Sequence, residues 1–355
     1  MTKVHQNPAY REDVAYVAGL ALPWEKLEGR TLMISGATGL IGSFLVDVLL
    51  HRNRCHGAQC TIIALGRNAQ RAAQRFPYGG EALRFIPCDI NAPFPHQSVG
   101  AVDYVLHLAS NTHPVAYATD PIGTILTNLT GTAHMLEAAL AHGAARCLFA
   151  SSNEVYGENR GDTELFAEDY CGYIDCNTLR AGYPESKRCG EALCQAYIRQ
   201  KHMDIVIPRF TRSYGPTMLP GDTKAISQFI RKAAAGEDIV LKSEGTQYYS
   251  YTYVADAVSG LLTVLLCGKS GEAYNIADAA SDITLRELAG IIAECAGTKV
   301  VFALPDAVER AGYSTATKAR LDGTKLKKLH WEAKYDIASG IARTIAILRE
   351  AKEPI

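Results

Sequence analysis

The 355-residue chain has no excess of charge of either sign: 36 basic residues face 37 acidic ones, for a formal net charge of −1. A protein that grips nucleic acid carries a basic stripe or a strong basic surplus. Neither is present, so no nucleic-acid partner is expected. The ten cysteines include no C-x-x-C pair, and no histidine cluster accompanies them. The closely spaced ligand pairs of a zinc site are therefore missing, and no metal is expected. Cys147 lies in the apolar run Arg146-Cys-Leu-Phe-Ala150, where a thiol behaves as a small hydrophobe. Reduced structural thiols of this kind suit the cytoplasm. Long apolar runs are also lacking. The stretch Gly260–Cys267 falls far short of the roughly 20 residues needed to span a bilayer. Arg11, Glu12 and Asp13 interrupt the N-terminus where a secretory signal needs an apolar core. The expectation is a soluble, cytoplasmic chain with no membrane partner, and with neither an internal repeat nor a low-complexity segment.

What is present is ordinary globular composition, 48% hydrophobic and 21% charged, at a length that suits two domains. Residues 1–29 read as an N-terminal extension with a short amphipathic helix near Tyr10–Leu20. Short apolar runs then recur at 31–34, 61–65, 83–86, 102–108, 147–150 and 205–207. Helical patterns lie between most of them, clearest at 121–142 and 184–201. Strands alternating with helices predict an α/β fold with a doubly wound parallel sheet over residues 30–208. After residue 209 the texture becomes mixed. Helices are expected near 223–235, 254–267 and 284–296, with a tyrosine-rich segment at 246–256. Residues 209–355 read as a smaller mixed α/β substrate lobe, with a return strand to the main sheet near 273–277.

Gly36-Ala-Thr-Gly39-Leu-Ile-Gly42 lies between the first strand and its helix. Glycines there permit a tight turn and close approach to a pyrophosphate, while the helix N-terminus offers free N–H groups. The turn predicts a Rossmann dinucleotide site using Gly36, Thr38, Gly39, Leu40, Ile41 and Gly42. At the end of the second strand, Leu65-Gly66-Arg67-Asn68 carries no acid for the ribose hydroxyls of NAD. Arg67 leans the choice toward NADP without excluding NAD. Asp89, followed by Ile90, is placed either at the adenine or in a turn.

Tyr183-Pro-Glu-Ser-Lys187 opens a helix, and the i, i+4 spacing puts phenol and ammonium on one face. The ammonium is expected to lower the phenol pKa, so that Tyr183 can take a proton from an alcohol. Ser151-Ser152 follows the fifth strand, where a hydroxyl faces the crevice of such a sheet.

Together with Leu106-His-Leu-Ala-Ser110, Asp120-Pro-Ile122, Asn128-Leu-Thr-Gly131 and Tyr214-Gly-Pro216, these segments resemble extended short-chain dehydrogenase/reductases that modify nucleotide sugars. This is the NAD-dependent epimerase/dehydratase family, and the resemblance runs from about residue 30 to 345. It implies Ser152, Tyr183 and Lys187 as a catalytic triad, with Asn128 supporting the lysine through water. It also implies cofactor contacts from Leu108, Ala109, Ser110 and Phe210, and a homodimer paired through the helices at 121–142 and 184–201. Glu154, two residues after Ser152, is similar to the glutamate of 4,6-dehydratases and UDP-glucuronate decarboxylases, and would manage the C5 proton of a 4-keto sugar.

Arg180-Ala-Gly-Tyr183 is similar to the decarboxylase form of this helix. Three positions depart from the pattern. Tyr249 stands where the decarboxylases carry arginine. Arg212 replaces the usual asparagine before Tyr-Gly-Pro, and Asn153 replaces the aspartate of dTDP-glucose dehydratases. The implied substrate is a nucleotide sugar, contacted by Asn111, Asn153, Arg212 and Tyr249, with Arg212 supplying the charge that position 249 lacks. Decarboxylation leads. A 4-epimerase, a 4,6-dehydratase, an NADPH-dependent 4-ketoreductase and a non-catalytic cofactor-binding protein stand as alternatives.

Overall fold

The computed structural model describes residues 4–303, 305 and 317–351. Helix α1 (Pro8–Ala18) precedes strand β1 (Thr31–Ser35), helix α2 (Leu40–His56) and β2 (Thr61–Gly66). Then come α3 (Ala69–Arg75), β3 (Leu83–Pro87), β4 (Tyr104–His107), α4 (Pro114–Thr119), α5 (Pro121–Ala141) and β5 (Arg146–Phe149). The short β6 (Ser151–Ser152), α6 (Gly182–Lys201) and β7 (Ile205–Phe210) follow. These strands pair in parallel in the order β3-β2-β1-β4-β5-β7. The strand order reverses between β1 and β4, and ligands of such sheets bind outside the strand C-termini at that switch point.

Beyond β7 lie β8 (Arg212–Tyr214), α7 (Ala225–Ala235), β9 (Ile239–Leu241), β10 (Tyr248–Tyr253), α8 (Val254–Cys267) and β11 (Ala273–Ile276). The second half sends a strand back to the main sheet. β11 pairs with β7 at the edge of the main sheet, and α8 packs against α2 and β7. The smaller sheet pairs β10 with β8, β12 (Asp282–Thr284) and β13 (Lys318–Ala319). α9 (Leu285–Ala296) begins with a capping box, in which Thr284 and Glu287 satisfy each other's backbone N–H groups.

Period-two alternation sorts the core to both faces of the main sheet. Leu32, Ile34, Ile62 and Ala64 join the buried cluster that includes α1, α2 and α8. Met33, Ile63 and Leu65 join Met135 of α5 and Cys194 of α6. The N-terminal extension belongs to this core. Asp13 of α1 is fully buried, where it accepts from Tyr253 Oη at 2.7 Å and from Arg343 Nε at 2.7 Å. Tyr10 donates to Asp47 of α2 at 2.5 Å. α1 thus ties the main sheet's helices to the smaller lobe. A carboxylate can be buried there because it is paired and hydrogen-bonded.

Candidate active site

One cleft of about 1270 Å³ runs over the C-terminal ends of the parallel strands and under the smaller lobe. Every residue assigned to cofactor, substrate or catalysis from the sequence lines it, except Asn128, which is completely buried.

The glycine turn fits a dinucleotide closely. Gly36 has φ +70°, and a Cβ there would lie 2.8 Å from the Ala109 nitrogen. A Cβ on Gly42 would lie 2.3 Å from the Gly36 carbonyl oxygen. Gly39 caps α2 without a side-chain hydrogen bond, which leaves the first-turn N–H groups directed at the cleft. The residues present therefore fit the pyrophosphate of a nicotinamide dinucleotide. Beyond the ends of β2 and β3, Arg67, Asn68, Asp89 and Ile90 line the cleft wall. Asp89 Oδ1 accepts from the Asn91 N–H at 3.0 Å, which is its turn-capping role. Behind the turn, Ser35 Oγ accepts from the Leu108 and Ala109 N–H groups at 3.2 Å each, so its own proton goes to His107 Nδ1 at 2.8 Å. Burial, with Lys187 nearby, pushes the His107 pKa down to about 3, so the ring is neutral.

Ser152, Tyr183 and Lys187 come together beneath this cleft, all three buried. The electrostatics differ from the expected ammonium-assisted phenol. Burial pushes the Tyr183 pKa up to about 12, the Glu154 charge raises it further, and contact with Ser152 opposes both. Burial likewise pushes the Lys187 pKa down to about 8, and its Nζ donates to the Ala150 carbonyl at 2.8 Å. Desolvation penalises the charged form of each group and is the largest cause for both. Asn128 does not reach Lys187 directly. It accepts from Ser110 Oγ at 2.7 Å and donates to Ser186 Oγ at 2.9 Å, and Ser186 in turn donates to the Tyr183 carbonyl at 2.8 Å. Asn128 therefore fixes the first turn of α6 against α5 and the cofactor loop.

Beside Ser152, Glu154 is held by Arg180, whose guanidinium lies 4.7 Å from the Tyr117 ring centroid. The Tyr117 ring stacks on Tyr183 at 4.7 Å. Arg212 lies over the Tyr249 ring at 3.4 Å. In the amide orientation that satisfies both of its atoms, Asn153 accepts from Arg212 Nη1 at 2.9 Å and donates to the Phe210 carbonyl at 3.3 Å. Three of the four residues assigned to substrate thus meet at one point beside Ser152 and Glu154. The fourth, Asn111, lines the cleft.

Sequence reasoning passed over several participants. Arg180 was visible only as part of a motif, and Tyr117 carried no chemistry of its own in the sequence. Lys224, Gln228, Arg231 and Lys232 line the cleft from the α7 side. Their helical spacing was a usable signal. Below the site, Glu191 accepts from Ser151 Oγ at 2.5 Å and from Arg209 at 2.9 and 2.7 Å, locking β6 and α6 to β7.

Comparison with known proteins agrees with this fold. The sequence pattern of the NAD dependent epimerase/dehydratase family matches residues 32–277. UDP-glucuronic acid decarboxylase 1 of Xenopus tropicalis is 32% identical over 236 residues, which are 66% of this chain and 53% of that protein. UDP-glucuronic acid decarboxylase 5 of Arabidopsis thaliana is 32% identical over 317 residues, covering 87% of this chain and 86% of that one. A dTDP-glucose 4,6-dehydratase from Streptomyces venezuelae, solved with NAD and TYD bound, superimposes with a TM-score of 0.78 at 26% identity, covering 90% of this chain and 97% of the other. With the family pattern spanning residues 32–277, the chain belongs to the NAD dependent epimerase/dehydratase family.

Proposed function

We propose that this enzyme acts on a nucleotide-linked uronic acid through a transient 4-keto sugar, in the manner of a UDP-glucuronate decarboxylase. The observation that carries this reading is the meeting of Arg212, Asn153 and Tyr249 beside Ser152 and Glu154. Arg212 has no carboxylate partner among the described residues, so the sugar end holds a cation suited to an acidic sugar.

A bound nicotinamide supplies reversible two-electron oxidation at C4. Tyr183 accepts the C4 hydroxyl proton as phenolate, having first given up its own proton, and Ser152 hydrogen-bonds the same oxygen. Asn128, through Ser186, keeps the Tyr183 turn in place. A ketone at C4 makes the C6 carboxylate part of a β-keto acid, which loses carbon dioxide and leaves electron density at C5. One proton from water replaces the lost carbon dioxide at C5, relayed by Glu154, which Arg180 orients. Tyr183 returns its proton when the C4 alcohol re-forms.

The cofactor is a nicotinamide dinucleotide, and Arg67 favours the NADP form. That same feature supports a second reading, an NADPH-dependent 4-ketoreductase. The helices α5 and α6 form the proposed homodimer face, on which Ile122 and Leu126 are exposed. Incubation with UDP-glucuronate tests the main reading: carbon dioxide and a UDP-pentose are expected, with no net change in cofactor redox state. Recovery of a UDP-hexuronate 4-epimer would replace it with epimerisation. Stoichiometric NADPH consumption on a 4-keto sugar would replace it with reduction.

A further inference from the structure

The catalytic phenol lies in surroundings that oppose its task. Tyr183 has to serve as a phenolate, yet burial pushes its pKa up and the Glu154 charge raises it further. Three neighbours act the other way: the Ser152 hydroxyl, the Arg180 charge and the Tyr117 hydroxyl. Ser152 cannot serve Tyr183 throughout. Its Oγ accepts from the Glu154 N–H at 3.2 Å and has one proton to give. Once that proton is committed to the sugar C4 oxygen, Tyr183 needs another donor.

Tyr117 is placed to be that donor. It comes from α4, which packs on α5 and on the Leu179–Ala181 turn that carries Arg180. The side chain is only 6% exposed and still lines the cleft. Its ring lies on Tyr183 with 4.7 Å between centroids and 24° between planes, and the near-parallel rings bring the two hydroxyls into contact. Other buried phenols of this chain give their proton to a fixed acceptor: Tyr10 to Asp47, Tyr156 to Asn275 Oδ1 and Tyr253 to Asp13. Tyr117 donates to no carboxylate, amide or carbonyl group among the described residues.

Charge sets the direction of the bond. Burial, then the charges of Tyr183 and Glu154, hold the Tyr117 pKa well above that of an ordinary phenol. Tyr117 therefore keeps its proton and donates, while Tyr183 accepts. Arg180 and Asp222 are the other charged groups that bear on Tyr117. Lys187, one turn along α6 from Tyr183, donates from Nζ to the Ala150 carbonyl.

We propose that Tyr117 is a further catalytic residue, whose hydroxyl donates to the Tyr183 oxygen and holds the phenolate while Ser152 serves the substrate. A hydrogen bond to the charged form favours that form, and one to an ionised acceptor is stronger than one between neutral groups. The proposal rests on the reading of Tyr183 as the base at C4, which decarboxylation, epimerisation and dehydration share.

Tyr117→Phe tests it, because the ring stack stays and only the donor goes. In the full chain labelled with [ζ-13C]tyrosine and loaded with NAD or NADP, the Tyr183 NMR signal is identified by its loss in Tyr183→Phe. Its ionisation midpoint is expected to rise by about one pH unit in Tyr117→Phe, since a lost donor leaves less phenolate at a given pH. The acidic limb of kcat/KM should move up equally, lowering kcat/KM about tenfold on that limb and little on the alkaline plateau. Tyr117→Leu, which removes the ring as well, should lower the plateau too. An unmoved midpoint and limb in Tyr117→Phe would overturn the proposal and leave Tyr117 a packing ring. Failure of UDP-glucuronate to react would count against the proposed reaction alone, because the NMR midpoint is read without any sugar.

Discussion

Arg180 holds both carboxylate oxygens of Glu154 through a single nitrogen, Nη2, at 2.7 and 2.6 Å, while its own Nε is buried without a partner. The guanidinium also lies against Tyr117, which stacks on Tyr183. One arginine therefore orients the Glu154 carboxylate and, through an aromatic pair, the Tyr183 phenol.

Replacing Arg180 should hurt turnover more than binding. Arg180→Ala is expected to lower kcat by about 10²-fold or more, the scale on which preorganised charge acts. Arg180→Lys should recover little, because an ammonium cannot stack and span as a guanidinium does. Steady-state kinetics on the productive nucleotide sugar would show it. A pure KM effect would reduce Arg180 to a binding residue.

Arg212 should set the preference for acidic sugars. Arg212→Ala is expected to weaken UDP-glucuronate binding by about ten- to a hundredfold, the value of a lost charge-assisted hydrogen bond, while UDP-glucose binding changes little. Calorimetry with the two ligands separates the cases. Equal losses for both would move Arg212 from the sugar to the diphosphate.

His107 should make the fold sensitive to mild acid. Its folded pKa of about 3 lies below the unfolded value near 6.5, so the unfolded chain binds the extra proton between those limits. Its contribution to stability is complete above about pH 6.5 and is lost as pH falls toward 3, at about 1.4 kcal/mol per pH unit. His107→Gln keeps an acceptor for Ser35 but cannot titrate. Urea unfolding at pH 6.5 and 4.5 should show a loss smaller by about 2–3 kcal/mol in the variant.

The exposed face of α5 should mediate self-association. Ile122 and Leu126 are 71% and 46% exposed, unusual for large apolar side chains outside an interface. Leu126→Asp is expected to shift the chain from dimer to monomer in light scattering. A wild-type monomer would remove the proposed interface.

The α/β order, the glycine turn and the Tyr183–Lys187 pair could be read along the chain, because each depends on local spacing; Ser152 joined that pair only through the family resemblance. Strand alternation is a two-residue pattern, the turn is seven residues long, and Tyr183 and Lys187 are one helical turn apart. The strand at Ala273–Ile276 could be read as apolar, but its partner β7 could not. Residues 1–29 looked like an appendage because Asp13 reads as a surface charge. Its partners Tyr253, Tyr335 and Arg343 lie more than 200 residues away.

Charge balance within the site was a matter for the tertiary structure alone. In sequence, Tyr183 and Lys187 suggest a phenol made acidic by its neighbour. Once folded, desolvation raises one and lowers the other, because burial acts on each charged form separately. Arg212 was an unexplained substitution until β8 and β10 paired and set its guanidinium on Tyr249 beside Asn153. Spacing along a chain specifies which groups a helix turn or strand presents. Which charges meet, and how dry their surroundings are, depends on contacts between segments far apart in sequence.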